Sequence, residues 1–164
     1  MKKRAYLLLA LLLPILIFIF LKFAGRNEFN IPVYYDKEGV KPEPGCPDSY
    51  PRPYRLQDWK GIAAENRKQA NVLVFPQRDF DFQAFEGRMN EEMGEGELLV
   101  MDAYKLAGDS TTCAQWRKCV FFAKDPYQTV LFDKIGQIRG YYDLTLREEE
   151  DRLRVELKIL LKQY

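Results

Sequence analysis

The chain has no histidine anywhere in its 164 residues. That absence removes Ser-His and Cys-His nucleophilic catalysis and the commonest metal-binding side chain. Cysteine is scarce, with only Cys46, Cys113 and Cys119 present. No Gly-rich phosphate cradle occurs, and no basic run follows Lys2, Lys3 and Arg4. Acidic and basic residues are interspersed and the net charge is +1. The basic stripe that nucleic acid requires is therefore missing, and nucleic-acid binding is not expected. No internal repeat is visible.

What the chain does have begins with an apolar run from Ala5 to Leu21 behind the three N-terminal cations. Its length meets the lower bound for crossing a hydrocarbon core of ~30 Å. Cleavage after Ala24 would put Lys22 at the −3 position, and cleavage after Gly25 would put Phe23 there, where a small residue is needed. The pattern therefore predicts an uncleaved anchor over residues 1–23, with residues 5–23 in the lipid bilayer. Pro14 is tolerable in such a helix. Lys2, Lys3 and Arg4 should stay cytoplasmic, placing the rest of the chain in a periplasm-like space, at the inner membrane if the cell is bacterial.

Residues 24–53 read as a tether and an extended loop, because Pro42, Pro44, Pro47, Pro51 and Pro53 block both helix and central strand. An oxidising compartment favours one disulfide and one spare thiol. Bridged cysteines need Cα atoms within roughly 7 Å. A helix between Cys113 and Cys119 would separate them by about 9 Å, and a strand by about 20 Å. Those two pair only across a loop or turn; the alternative is Cys46 with one of them.

From about Asn27 onward there is enough chain for one small domain with its own core. Ile31–Tyr35 reads as a strand or an extended arm, Tyr54–Gly61 as an edge strand entering a turn, and Ile62–Ala70 as a short helix. Asn71–Pro76 is a near-continuous apolar run suited to a central strand covered on both faces. Asp79–Met93 predicts a helix with Phe82, Phe85, Met89 and Met93 on one face. Gly96–Asp102 is the next strand, Leu106–Thr112 a loop, and Gln115–Ala123 a short helix turning into a strand at Val120–Phe122. Gln128–Asp143 predicts a hairpin with Gly136 in its turn. Thr145 and Glu148 read as the capping box of a closing helix with a Leu153, Leu157, Leu160 and Leu161 stripe. The order is βαβ followed by ββα, which predicts an α/β fold with a mixed sheet of about four strands flanked by helices, as in a thioredoxin-like core.

The segment Asp133-Lys134-Ile135-Gly136-Gln137-Ile138-Arg139-Gly140-Tyr141-Tyr142-Asp143 resembles the D-x-x-G-x-I-R-G-Y-Y-D pattern of the Sco/SenC family of membrane-anchored copper chaperones. The closing helix, the anchor and the Tyr34-Tyr35 arm also resemble that family. The resemblance implies a periplasm-facing thioredoxin-like domain over residues 54–164. In the family, a C-x3-C pair follows the first central strand and a histidine precedes the hairpin. Here the matching turn is Pro76-Gln77-Arg78-Asp79-Phe80, and Asp125 falls near the histidine position. A carboxylate is a hard ligand, poorly suited to Cu(I). The chain also reads as short between Asp102 and Gln128, where the family carries a further helix. Asp125-Pro126 is a candidate cis bond on the same analogy.

The expected function is thus a non-enzymatic accessory, assembly or structural component of a membrane complex, with a respiratory one as the candidate partner and no resident cofactor. The alternative is a thiol-disulfide oxidoreductase or residual copper carrier using Cys113 and Cys119, with Asp125 as a third metal ligand. Arg117 and Lys118 lie between those cysteines, and cations depress a thiol pKa. Met89 and Met93 read as core packing rather than copper ligands. Asp79, Asp81, Glu91 and Glu92 read as a solvated helix face. Tyr50, Arg52, Tyr54, Arg55 and Trp59 are candidate interface residues, being aromatic and arginine side chains around the Pro-rich loop.

Overall fold

A computed structural model describes residues 12–18, 30–57, 64–94 and 96–162. The chain divides into two compact units, Met1–Asn30 and Ile31–Tyr164. In the first, residues 12–18 are helical and every one of their side chains is exposed. Among the described residues no helix is long and apolar enough to cross a membrane. The rest of the expected span lies outside the described residues, as do Trp59 and the start of the helix expected over Ile62–Ala70.

The second unit is an α/β fold built on a four-stranded mixed sheet flanked by helices. In chain order its elements are β1 (Ala70–Val74), α1 (Phe82–Met93), β2 (Leu98–Asp102), α2 (Ala103–Ala107), α3 (Ser110–Cys119), β3 (Thr129–Asp133), β4 (Ile138–Tyr142) and α4 (Arg147–Leu160). The spatial order is β2-β1-β3-β4. β1 runs parallel to β2 and antiparallel to β3, and β3 and β4 form an antiparallel hairpin.

The apolar sequence of β1 follows from its central place, since alternate residues feed two separate cores. Val72 and Val74 pack with Phe85, Met89 and Met93 of α1 and Leu153 and Leu157 of α4. Leu73 and Phe75 pack with Cys113 and Trp116 of α3, and with Val40, Tyr54 and Leu56 from the segment before the sheet. Asn71 is the polar exception in β1. It is fully buried, yet its amide donates to the carbonyls of Lys68 and Phe132 and accepts from the Lys68 amide, so it is satisfied.

Several expectations need correction. Where a helix was expected up to Ala70, the chain makes a 3-10 turn over Ala64–Asn66, and Ala70 already opens β1. Where a loop was expected over Leu106–Thr112, α2 runs to Ala107 and α3 starts at Ser110 with only Gly108 and Asp109 between them, so the stretch between Asp102 and Gln128 carries two helices. Val120–Phe122 is not a strand. Neither Ile31–Tyr35 nor 54–57 forms a strand, and Tyr34 and Tyr35 lie in a turn with Tyr35 at φ 59°. Finally, the N-cap of α4 is Leu146 rather than Thr145, so α4 has no side-chain cap, and the Thr145 hydroxyl donates to Asp143 instead. The Asp125-Pro126 bond is cis, as is Arg52-Pro53.

Candidate functional site

The hairpin motif is accounted for residue by residue, and its work is structural. Asp133 Oδ1 accepts from the amides of Ile135 and Gln137, closing the turn. Gly136 has φ +82°, and a Cβ there would stand 2.7 Å from the Leu56 carbonyl oxygen. Only glycine therefore lets the segment before the sheet lie on the turn, where the Leu56 amide donates to the Gly136 carbonyl at 2.9 Å. Arg139 reaches Asp133 Oδ2 at 3.3 Å and donates to the Ile31 carbonyl at 2.8 Å. The pairing jumps from Leu131↔Gly140 to Phe132↔Ile138. This irregularity puts Ile138 and Tyr141 on one face, both in the core beneath the arm. A Cβ on Gly140 would stand 2.2 Å from the Tyr142 hydroxyl oxygen and 2.6 Å from its ring. The Tyr142 hydroxyl is used by Glu156 at 2.5 Å. Asp143 is buried and accepts from the Thr145 hydroxyl and the Gln128 amide, which hold its carboxyl below the usual range against the opposing effect of burial.

The motif and the arm over residues 31–57 form one assembly at the end of α3. Three consecutive carbonyls there each accept from a tyrosine hydroxyl: Cys119 from Tyr50 at 2.9 Å, Val120 from Tyr54 at 2.7 Å and Phe121 from Tyr141 at 2.7 Å. A helix C-terminus leaves such carbonyls without intrahelical partners, so side-chain donors satisfy them. Phe122 follows in the left-handed region at φ 54°. Its ring meets those of Tyr35, Tyr50 and Tyr54 edge-on at 5.2, 5.1 and 4.9 Å. Burial pushes the Tyr54 and Tyr141 hydroxyls well above their ordinary pKa, which keeps them donors. From sequence Tyr50 and Tyr54 read as interface candidates and Tyr141 as part of the motif, and their joint capping of these carbonyls was missed.

The disulfide joins Cys46 to Cys119, with Cα atoms 5.3 Å apart. It resolves the open choice of pairing. The Cys113–Cys119 pair does not form, because both residues lie on α3 and helical geometry keeps them apart. Cys113 is a buried free thiol, and burial pushes its pKa up, so it lacks the thiolate character of a nucleophile. Cys119 closes α3 at its C-terminal end, where the helix dipole disfavours a thiolate. Asp125 is exposed and salt-bridged to Arg117 at 2.8 Å. Among the described residues no three His, Cys, Asp or Glu side chains converge on a point.

The turn after β1 borders a small cleft lined by Val74, Phe75, Pro76, Gln77, Phe80, Gln128, Thr129, Leu144 and Thr145. No titratable group is in that lining, so the cleft holds no acid, base, thiol or charged metal ligand. Met89 and Met93 are buried in the core. Asp81 caps α1 by accepting from the Ala84 amide, and Glu92 pairs with Lys158 and Arg154 of α4. Of the candidate interface residues, Arg52 and Arg55 are exposed and Tyr50 is half-buried. Tyr54 is buried in the core and cannot present its ring to a partner. Trp59 lies outside the described residues.

No protein-family model, no curated protein and no solved structure matches the chain.

Proposed function

We propose that the chain is a membrane-tethered, periplasm-facing, thioredoxin-like protein of Sco-like descent. It works without enzymatic chemistry, as an accessory, assembly or structural component of a membrane complex of the respiratory kind. The observation that carries this reading is the strand plan. The order β2-β1-β3-β4, with β1 and β2 parallel and β3 and β4 antiparallel, is the arrangement a thioredoxin-like core requires. The uncharged cleft at the end of β1 supports the loss of chemistry, since that is where the family's cysteines would sit. An apolar helical stretch over residues 12–18, exposed on all sides, supports a membrane tether. The oxidoreductase and copper-carrier readings need two free sulfurs that converge. They are weakened by Cys119 being bonded to Cys46 and Cys113 being buried.

The test uses the full chain extracted in mild detergent. It is challenged with Cu(I) against a competing chelator and assayed for dithiol-disulfide turnover. Neither retained copper nor turnover above the reagent blank is expected, while co-purification with a membrane complex is. Stoichiometric copper, or turnover abolished by Cys119→Ser, would sink the non-enzymatic reading.

A further inference from the structure

Residues 41–53 carry no buried side chain, whereas Val40 and Tyr54 on either side are core residues at 8% and 6% exposure. Among the described backbone hydrogen bonds outside helices and strands, the one made within this loop, from the Cys46 amide to the Glu43 carbonyl, is internal to it. Its described polar and covalent attachments to the body fall on residues 118–124. They are the Cys46–Cys119 disulfide, the Tyr50 hydroxyl on the Cys119 carbonyl, Lys118 Nζ on the Pro44 carbonyl at 2.5 Å, and Lys124 on Glu43 at 2.7 Å. Exposed ion pairs and single hydrogen bonds contribute little on their own. Beside the covalent bond, the remaining hold is the Tyr50 ring, packed edge-on to Tyr54 at 5.8 Å and Phe122 at 5.1 Å.

We propose that residues 41–53 form a strap latched by the Cys46–Cys119 disulfide, and that reduction by a dithiol frees the strap while the domain beneath it stays folded. The thiolate of the reductant attacks Sγ of Cys46, which is half-buried, rather than that of Cys119 at 5% exposure. The Cys119 sulfur leaves as a thiolate and takes up a proton. The second thiolate of the reductant then attacks its own sulfur in the mixed disulfide and releases Cys46, which is also protonated. The protein disulfide becomes two thiols, and the dithiol becomes its disulfide.

The domain survives because the rest of the arm has separate anchors. Val40, Tyr54 and Leu56 are buried in the core. The amides of Tyr54 and Leu56 donate to the carbonyls of Tyr35 and Gly136, and the Tyr54 hydroxyl caps Val120. Opening removes the Tyr50 ring from Phe122 and strips Lys118 and Lys124 of their loop partners. An open groove whose lining includes Glu43, Arg117, Lys118, Phe122 and Lys124 then loses Glu43 from its wall. This goes beyond the accessory role above and stands on the loop geometry alone.

The full chain in detergent micelles is treated with dithiothreitol, alkylated, desalted and compared with the oxidised chain by hydroxyl-radical footprinting. Thiol counting verifies that the bond has opened. Modification of Tyr50 and Phe122 should rise about threefold, while Phe85 and Phe132 in the two cores stay unchanged. Cys46→Ser should show the open pattern without reductant and ignore its addition. An unchanged Tyr50 with the bond open would overturn the proposal. So would increased modification of Phe85 and Phe132, which would make the bond a support of the whole fold. If Cys46→Ser fails to fold, reduced wild type decides between the same outcomes.

Discussion

Gly136 shows how one residue can be fixed from two directions. Its φ of +82° disfavours any side chain, and the Leu56 carbonyl oxygen occupies the place where a Cβ would go. Gly136→Ala should cost about 2 kcal/mol or more, read as a lower urea midpoint with an unchanged slope. Asp143 makes a complementary prediction in pH. Its carboxyl is held below the ordinary value of 3.8 by hydrogen bonds from Thr145 and Gln128. A depressed folded pKa gives stability that is fully present above the unfolded value and is lost as pH falls through the folded one. Asp143→Asn should therefore be less stable than wild type at neutral pH. Its acid limb should be shallower below about pH 4, and the two curves should converge there in urea titrations. Gly136 was legible in the sequence as the glycine of the hairpin turn, and Asp143 only as a member of the motif. That Gly136 carries the arm at Leu56, and that Asp143 holds Gln128, depends on contacts outside the local pattern.

At the scale of elements, the hairpin, α1 and α4 were readable because each carries a clean periodicity and its own stop signal. The junction of α2 and α3 within Leu106–Thr112 was not, and the reason is physical. Gly108, Asp109, Ser110, Thr111 and Thr112 look like a polar loop, but they are two caps placed back to back. Gly108 ends α2 at φ 79°, and Asp109 opens α3 by accepting from the Thr112 amide. Val120–Phe122 misled in the opposite sense. Its β-branched and aromatic composition suggests a strand, yet its carbonyls are satisfied by tyrosine hydroxyls rather than by a neighbouring strand. The start of α4 leaves room for improvement, because the N-cap Leu146 is 54% exposed and offers no acceptor. Leu146→Ser should stabilise the domain by about 1 kcal/mol, measured as a raised thermal midpoint. A fall in that midpoint would mean that the leucine has a packing role its exposure hides.

For the whole molecule, the apolar N-terminal run and the polar remainder make a sharp division of labour. The full chain should pellet with membranes, resist an alkaline wash and enter solution only with detergent. Release by alkali alone would reduce the run to a peripheral contact. The two-sided burial of β1 was legible from its composition, but the part the arm plays in the core was not. Nothing local in a proline-rich stretch says that Val40, Tyr54 and Leu56 on its borders will meet the last strand of the sheet. That placement sets a timetable. A chain is made from its N-terminus, so the arm emerges while the surfaces it needs are still unmade. Cys46 must wait for 73 further residues before Cys119 exists, and the arm has no turn to lie on until Gly136 has followed. Cys113 appears six positions before Cys119 and is the one competing thiol in the chain. Burial of Cys113 on the core face of α3 thus sorts partners in time as well as in space: once that helix is packed, the thiol left for Cys46 is the correct one.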